Sequence, residues 1–320
     1  MAKYILRRIA LSLITLVIIL VIVTLIPNIA PGDPARKIAG GTASPERLAA
    51  VTESLGLNDS VPTQLGNLFK DTFTLDFGEA FTRPGESVMG LVGSALWEST
   101  KLVVFALILL LPLSIAGGML AAYKKDTWID RTIVNVGLAL SSVPEFVAGV
   151  ILLTVLAVPV DFFKVSADAP AGAGFFTQLQ HLLLPALTVV TVYFGYIARI
   201  TRAGTITALE SDYARTAFMK GLNTESVFRK HVQRNALQPT VAVIGTQLGY
   251  MFGGMVGLEL VFNYPGLGRL ILDAVRGADY PVLRGGVLIV AIIYMAATLV
   301  ADLIIAWMNP RARLTAGGES

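Results

Sequence analysis

The sequence predicts an all-α polytopic membrane protein with six transmembrane helices, and three observations carry that reading. Of its 320 residues, 54% are hydrophobic and only 15% charged, against roughly 25% charged in an ordinary soluble domain. Six stretches approach the roughly 20 apolar residues that a membrane helix needs: about 5–27, 101–123, 133–158, 183–200, 237–258 and 287–308. Lys and Arg collect in alternate connections between them.

Taken in order, the first span follows "KYILRR", a basic start that a secretory signal would share. Its apolar core outruns the roughly 7–15 residues of a signal h-region, and "IPNIAPGDPA" offers no clear A-x-A site, so an uncleaved span is expected. A long segment, about 28–98, leads to the second span. Within it, 36–54 carries no motif. The third span holds Glu145 near its middle, after Pro144, where proline can bend a helix and free a carbonyl. An isolated charge there costs at least about 2.5–3.5 kcal/mol on insertion scales, so Glu145 should face protein or water. Two readings fit: a carboxyl that hydrogen-bonds a neighbouring helix, and a pathway residue that meets a cationic group. Residues 159–180 again carry no motif. In the fifth span Gly245, Gly249, Gly253 and Gly257 recur every four residues. Each costs up to about 1 kcal/mol against alanine in a helix, and together they make a stripe suited to close helix approach. Static packing and a pathway-lining surface both fit. Asp302 sits toward the inner end of the sixth span, where nearby polar or basic groups can pair with it.

With the N-terminus inside, the inner segments gather Lys3, Arg7, Arg8, Lys124, Lys125, Arg131, Arg199, Arg202, Arg215, Lys220, Arg229, Lys230, Arg234, Arg311 and Arg313. The loop 159–182 has only Lys164, while Arg269, Arg276 and Arg284 fall outside and weaken the asymmetry slightly. Both termini in the cytoplasm is the consistent solution. The chain has no cysteine, which excludes disulfides and thiolate ligation. His181 and His231 have no ligand at helical spacing, so no metal site is expected. A net charge of +3 does not point to nucleic acid, and no GxxxxGK[ST] phosphate loop is present.

The largest inner loop, "SDYARTAFMKGLNTESVFRKHVQRNALQP" from Ser211 to Pro239, reads as two short helices. Ser211 or Asp212 can cap the first, and Asp212 suits its positive end. Gly221 is placed to end it in the left-handed conformation. Asn223 can cap the second, and Pro239 opens the fifth span. Ala214, Ala217 and Gly221 fall on one side, a small-residue face on which another backbone could lie, with Tyr213, Phe218 and Met219 nearby. An amphipathic helix resting on lipid headgroups also fits. The small area of the apolar face favours a protein partner.

These residues carry a specific resemblance. "DYARTAFMKGL" followed by "RKHVQRNALQP" resembles the cytoplasmic EAA-type loop of ABC-importer permeases, in the form typical of the dipeptide and oligopeptide permease family. Tyr213, Thr216, Ala217, Lys220, Gly221, His231, Arg234, Asn235 and Pro239 carry the match. Arg215 stands where the general pattern has an acidic residue. The likeness extends to "KYILRR", "PGDP" at 31–34, "LGL" at 55–57, Gln64, "DFG" at 76–78, "SSVPEFVAG" at 141–149 and "ADLIIAWMNPR", with Asn309 where the family more often has Asp. The segment "GLELVFNYPGLGRLILDAVRGADYPVLRGG" is similar to the family's E-x-V-F-x-x-P-G-L-G … D-Y-P motif, matching at Glu259, Phe262, Pro265, Gly266, Leu267, Gly268, Asp279, Tyr280 and Pro281. Its turn chemistry and apolar content also suggest, independently, an element that folds back into the outer mouth.

The resemblance implies a type I ABC importer permease core over 96–310, behind an N-terminal span and extracytoplasmic segment over 1–95, with a cytoplasmic tail at 311–320. It implies that Tyr213, Ala214, Arg215, Thr216, Ala217, Phe218, Lys220 and Gly221, within the loop 211–239, dock on an ATP-binding subunit. It implies that the glycine stripe of Gly245, Gly249, Gly253 and Gly257 borders the translocation pathway, where packing and lining can both hold, and that the outer segment 258–286 is a gate; for Glu145 the pathway and helix-bonding readings both stay open. A plain structural cap is the other reading of that segment. The implied partners are a second homologous permease subunit, two ATP-binding subunits, an extracytoplasmic solute-binding protein, the lipid bilayer and a di- or oligopeptide substrate. ATP and magnesium would be bound by the ATPase subunits, and this chain would have no cofactor and no catalytic residue. The implied location is a prokaryotic inner or plasma membrane. Nickel and glutathione importers share the family. An ion-coupled secondary transporter is the competing class, but it wants a midplane ion site and inverted repeats, and only Glu145 offers the first.

Overall fold

The computed structural model describes residues 2–29, 33–40 and 43–308. The tail 311–320, Asn309 and the first half of the "PGDP" motif lie outside the described residues. Helices α1 (Ala2–Ile29), α2 (Pro34–Ala39), α3 (Pro45–Ser54), α4 (Val61–Thr74) and α5 (Val88–Tyr123) come first. Then follow α6 (Trp128–Ser141), α7 (Glu145–Leu152) with a π-helical extension over Leu153–Ala157, and α8 (Phe175–Leu209). The remainder comprises α9 (Asp212–Met219), α10 (Thr224–Val227), a π turn over Phe228–Val232, α11 (Gln233–Ala236), α12 (Gln238–Gly254), α13 (Val256–Val261), α14 (Leu267–Arg276) and α15 (Tyr280–Met308). Among the described residues there is no strand, only an isolated bridge between Glu79 and Ser87. The all-α expectation holds.

Among the described residues, four helical stretches are long and apolar enough to cross a membrane: Ile9–Ile29, Val88–Tyr123, Phe175–Leu209 and Tyr280–Ile305. A fifth crossing exists if Trp128–Ser141 and Glu145–Ala157, bent by 104° from one another, form one span. The six continuous spans of the sequence reading are therefore not reproduced, for two local reasons. The third is broken at Ser142–Pro144, since proline has no N–H to continue the ladder. The fifth stops at Gly254 after 17 residues, in a Gly253–Gly254 pair where helix propensity is poorest.

The segment 36–54, which offered no motif, holds two capped helices. Asp33 Oδ1 accepts from Ala35 N at 3.0 Å and Arg36 N at 3.2 Å, and Ser44 Oγ accepts from Arg47 N at 3.3 Å. Each cap is followed by proline at the first helical position, where a missing N–H costs nothing.

The chain divides into two compact units, one drawing on residues 100–264 and the end from 296, the other on 5–99 and 265–295. In the first, α8 is the element against which α6, α7, α11 and α12 pack. A Cβ on Gly195 would overlap the Gly137 carbonyl, and one on Gly118 would overlap the Ala198 carbonyl. Backbones therefore touch where α6 and α5 cross α8, which only glycine permits at those positions. Buried Thr188, Thr201 and Thr205 donate to Leu184 O at 3.0 Å, Ile197 O at 2.9 Å and Thr201 O at 2.7 Å, so α8 buries its hydroxyls without leaving them unpaired. In the second unit Leu16, Leu20 and Val23 of α1, Leu68 of α4, Val88 and Val92 of α5, and Leu267 and Leu288 share one apolar core.

Candidate functional site

The 211–239 loop folds around a small core of its own. Ala208, Ala214, Ala217, Val227, Val232 and Ala236 form one buried cluster. Ala214 and Ala217 thus face inward, against the second half of the loop. The small-residue face expected to receive another backbone is already covered, which corrects the sequence reading. Two small side chains let α9 lie close on its own loop, and periodicity cannot tell that use from docking. What α9 leaves outside is Tyr213, Arg215, Thr216, Phe218, Met219 and Lys220, with Met219 79% exposed.

The ends of α9 follow the expected chemistry in part. Gly221 has φ +78°. Its N–H bonds to Phe218 O at 3.0 Å, and Leu222 N bonds to Ala217 O at 3.4 Å, the pair of bonds of a Schellman stop. Asn223 Oδ1 accepts from Ser226 N at 2.9 Å and caps the next helix. Ser211 occupies the N-cap position without a capping bond, because its hydroxyl donates back to Ala208 O at 2.6 Å. Pro239 enters in the first turn of α12.

The loop is joined firmly to α8. Thr201 and Thr240 hydroxyls meet at 3.0 Å, and Gly204 lies against the Ala236 carbonyl and 2.8 Å, measured from its ideal Cβ, from Pro239 Cγ. Arg234 donates to Trp307 O at 2.8 Å and stacks over the Trp307 ring at 5.0 Å, tying the loop to the end of α15. Two ion pairs complete the region. Arg202 of α8 donates to both oxygens of Asp130 of α6, Nε to Oδ1 at 2.5 Å and Nη2 to Oδ2 at 2.6 Å. Asp130 Oδ2 also accepts from Asp126 N at 2.9 Å. Lys125 reaches Glu210 at 2.8 Å, which raises the Lys125 ammonium above its usual range. Sequence reading counted Arg202 and Lys125 as inner charges but missed their partners. Asp130 and Glu210 are unremarkable in sequence, and pairing across a fold leaves no local signal.

Glu145 lies at the break rather than inside a continuous span, as the first residue of α7. Its Oε1 accepts from Tyr193 Oη of α8 at 2.6 Å. Its Oε2 is buried and has no hydrogen-bond partner among the described residues. The neighbouring-helix reading is thus half met, with one acceptor left over.

The glycine stripe is not one surface. Gly245 is buried where a Cβ would overlap Ala301 Cβ of α15, and Gly249 is buried too. Gly253 is exposed. Gly257 lies past the break, in α13, where a Cβ would come within 3.0 Å of Phe146 Cβ. Close packing inside the chain accounts for Gly245 and Gly257.

The motif residues of 258–286 fall into both units, Glu259 and Phe262 in the first and Pro265 to Pro281 in the second. Glu259 is buried, and the Phe262 ring lies 3.1 Å from where a Gly149 Cβ would stand. Phe262 O accepts from Ala167 N at 2.7 Å, which with His181 Nδ1 on Ser166 O at 2.7 Å orders the motif-poor 159–180 stretch. Asn263, at φ 49°, makes the turn before Pro265. Gly266 precedes α14, and buried Leu267 donates its N–H to Ser99 Oγ at 2.8 Å. Gly268 is buried. Asp279, fully buried, accepts from Thr82 N at 2.8 Å and Thr82 Oγ1 at 2.7 Å, and its Oδ1 accepts from Val282 N at 3.3 Å. It therefore caps α15 while clasping the loop after "DFG". Tyr280 is buried beside it and Pro281 is half-buried. Among the described residues no group of three or more His, Asp or Glu is placed to hold a metal ion.

Comparison with known proteins adds to this geometry. The family described as binding-protein-dependent transport system inner membrane component matches residues 114–314. The family for the N-terminal part of such membrane components matches residues 1–116. A Sinorhizobium fredii protein described as a peptide ABC transporter permease is 35% identical over 314 residues, covering 98% of this chain and 100% of the relative. A Brucella abortus protein described as a peptide transport system permease is 32% identical, with 98% and 99% covered. The glutathione transport system permease protein GsiC of Escherichia coli is 34% identical, again with 98% and 99% covered.

Proposed function

Since the chain belongs to the binding-protein-dependent transport system inner membrane component family, we propose that it is the permease subunit of an ATP-driven importer of di- or oligopeptides. It forms half of a translocation pathway with a second, homologous permease. Two ATP-binding subunits supply the energy, holding ATP and magnesium, and an extracytoplasmic binding protein delivers the substrate. The chain itself does no covalent chemistry. Both termini and the 211–239 loop face the cytoplasm. The core runs over 96–310, behind an N-terminal part over 1–95 and before the tail 311–320.

The observation that supports coupling best is α9. Its inner side is fixed to α8 through the loop core, and its outer side offers Tyr213, Phe218 and Met219 in an otherwise polar setting. A push on those side chains moves α8 and, through Asp130, α6. Motion of an ATP-binding subunit can thus be delivered to the spans as a rigid-body shift between two arrangements. Glu145, with one unpartnered oxygen at a helix break, is the proposed pathway contact for the amino end of a passing peptide. Gly253, exposed, is the part of the glycine stripe left for the pathway. Glu259, Phe262, Pro265–Gly268 and Asp279–Pro281 frame the outer gate, chiefly by holding its turns.

Co-purification with ATP-binding subunits tests the reading. Phe218→Asp and Met219→Asp should abolish retention of those subunits and ATP-dependent peptide uptake while leaving the chain folded. Undiminished retention would remove α9 from the interface. Glutathione remains a second substrate reading, favoured by the 34% identity to GsiC. Competition of labelled dipeptide uptake by glutathione separates the two. Nickel, which the family also admits, is tested in the same assay.

A further inference from the structure

Helix α4 has two unlike sides. One packs into the second unit's core through Gln64, Leu65, Leu68 and half-buried Asp71. Gln64 Oε1 accepts a hydrogen bond from Asn28 Nδ2 at 2.8 Å, and Asn28 lies in the last turn of α1. Seven residues on, Asp71 lies near enough to Arg284 for the two charges to act on one another, and Arg284 lies in the second turn of α15. One part of α4 is therefore held where α1 leaves the apolar layer, and another where α15 enters it. A helix of 14 residues is about 21 Å long. Hydrogen-bonded to the end of α1, and sharing through Leu68 one core with Leu283 and Leu288 of early α15, it runs along the membrane surface and not through it.

The other side carries Phe69 and Phe73, 40% and 86% exposed, on one stripe four residues apart, with exposed Lys70 between them. Exposed Leu75 follows. Near its own end, on either side of Asn28, α1 also exposes Ile22 and Ile29.

We propose that α4 is an interfacial anchor: Phe69 and Phe73 insert at the headgroup–acyl boundary of the adjoining leaflet, and Lys70 extends to lipid phosphates. Such helices lie in the surface plane with their apolar side sunk about 5–10 Å, and a lysine there keeps its stem apolar and its ammonium wet. The anchor holds the connection between α1 and α5 flat on the bilayer, whatever solute the chain transports. The rival occupant of the same rings is a protein partner.

Fluorescence of the full chain in phosphatidylethanolamine–phosphatidylglycerol vesicles decides between them. Trp97, Trp128 and Trp307, all exposed, are replaced by Phe, and Phe73→Trp becomes the only indole. The expected result is blue-shifted emission, quenched by lipids brominated near the glycerol end of their chains and shielded from aqueous iodide. Asn67→Trp, also exposed but turned away from Phe69, should stay open to iodide. Strong iodide quenching at position 73 would overturn the proposal. So would shielding at 73 that appears only when the binding protein or other subunits are added.

Discussion

Replacing Arg202 by leucine should damage this chain more than neutralising its partner. The Asp130 side chain is 4% exposed and that of Arg202 25%. Asp130 accepts three hydrogen bonds, two of them from Arg202. Arg202→Leu therefore leaves a buried carboxylate with one donor, the situation that costs about 3–5 kcal/mol in other proteins. That is a large share of a typical total of about 5–15 kcal/mol. Asp130→Asn keeps an acceptor for the guanidinium, which can also turn to water through its exposed edge. Its cost is that of weakened charge-assisted bonds, about 1.5–3 kcal/mol. With Asp130 already neutral, Arg202→Leu should add little, so the double variant should be clearly more stable than the sum of the single losses predicts. Unfolding of the purified chain in mixed micelles of rising dodecyl sulfate content reads these differences. The reasoning is refuted if Arg202→Leu costs under about 1 kcal/mol, the value of an exposed surface pair, or if the two variants are additive.

Four further outcomes follow from the same structure. Gly221→Val places a β-branched residue at φ +78° and should cost about 1–2 kcal/mol, read as a lower melting temperature together with weaker retention of ATP-binding subunits. Gly195→Ala forces a methyl onto the Gly137 carbonyl and should cost at least about 1–3 kcal/mol, whereas Ala at Gly221, where a Cβ meets no neighbour, carries only the backbone penalty. Tyr193→Phe removes the only described donor to Glu145. It should lower stability by about 1–3 kcal/mol, and Glu145→Gln in the same background should restore part of it. Burial raises the carboxyl of Asp71 above its ordinary value, against the opposing pull of Arg284. A raised folded value means that the folded chain holds the proton more tightly, so this group's contribution is fully present below the ordinary carboxylate range and lost as pH rises through the raised value. Asp71→Asn should flatten that part of the stability–pH curve, and an unchanged curve would show that Arg284 cancels the burial.

Hydropathy made the helical membrane class legible because long apolar runs have few alternative solutions. Local chemistry made Gly221, Asn223 and Pro239 legible, since a left-handed stop, an Asx cap and a first-turn proline each depend on a few neighbouring residues. The signals at Asp33–Pro34, just before 36–54, and at Ser44–Pro45, within it, were equally local: a cap followed by first-turn proline. What sequence could not give is which side of a helix meets its own chain. Ala214 and Ala217 suit close approach to any backbone, and the loop's own second half takes them. Nor could it pair Asp130 with Arg202, 72 residues apart, or Asp279 with Thr82, 197 apart: the first depends on the α6–α8 crossing at Gly137 and Gly195, the second on how a loop meets the start of α15. Pro144 announced a bend, but its size of 104° comes from packing.

The central claim is that α9 is where an ATP-binding subunit takes hold of this chain. The sequence contains no cysteine, so Met219→Cys places a single thiol at the most exposed large apolar side chain of that helix. Cross-linking it in the assembled transporter with a short bifunctional maleimide, in vesicles that import peptide on ATP, is the direct measurement. The account predicts a covalent product with an ATP-binding subunit and loss of ATP-driven uptake once it forms. A thiol that stays free to modify in the full complex while uptake proceeds would contradict it.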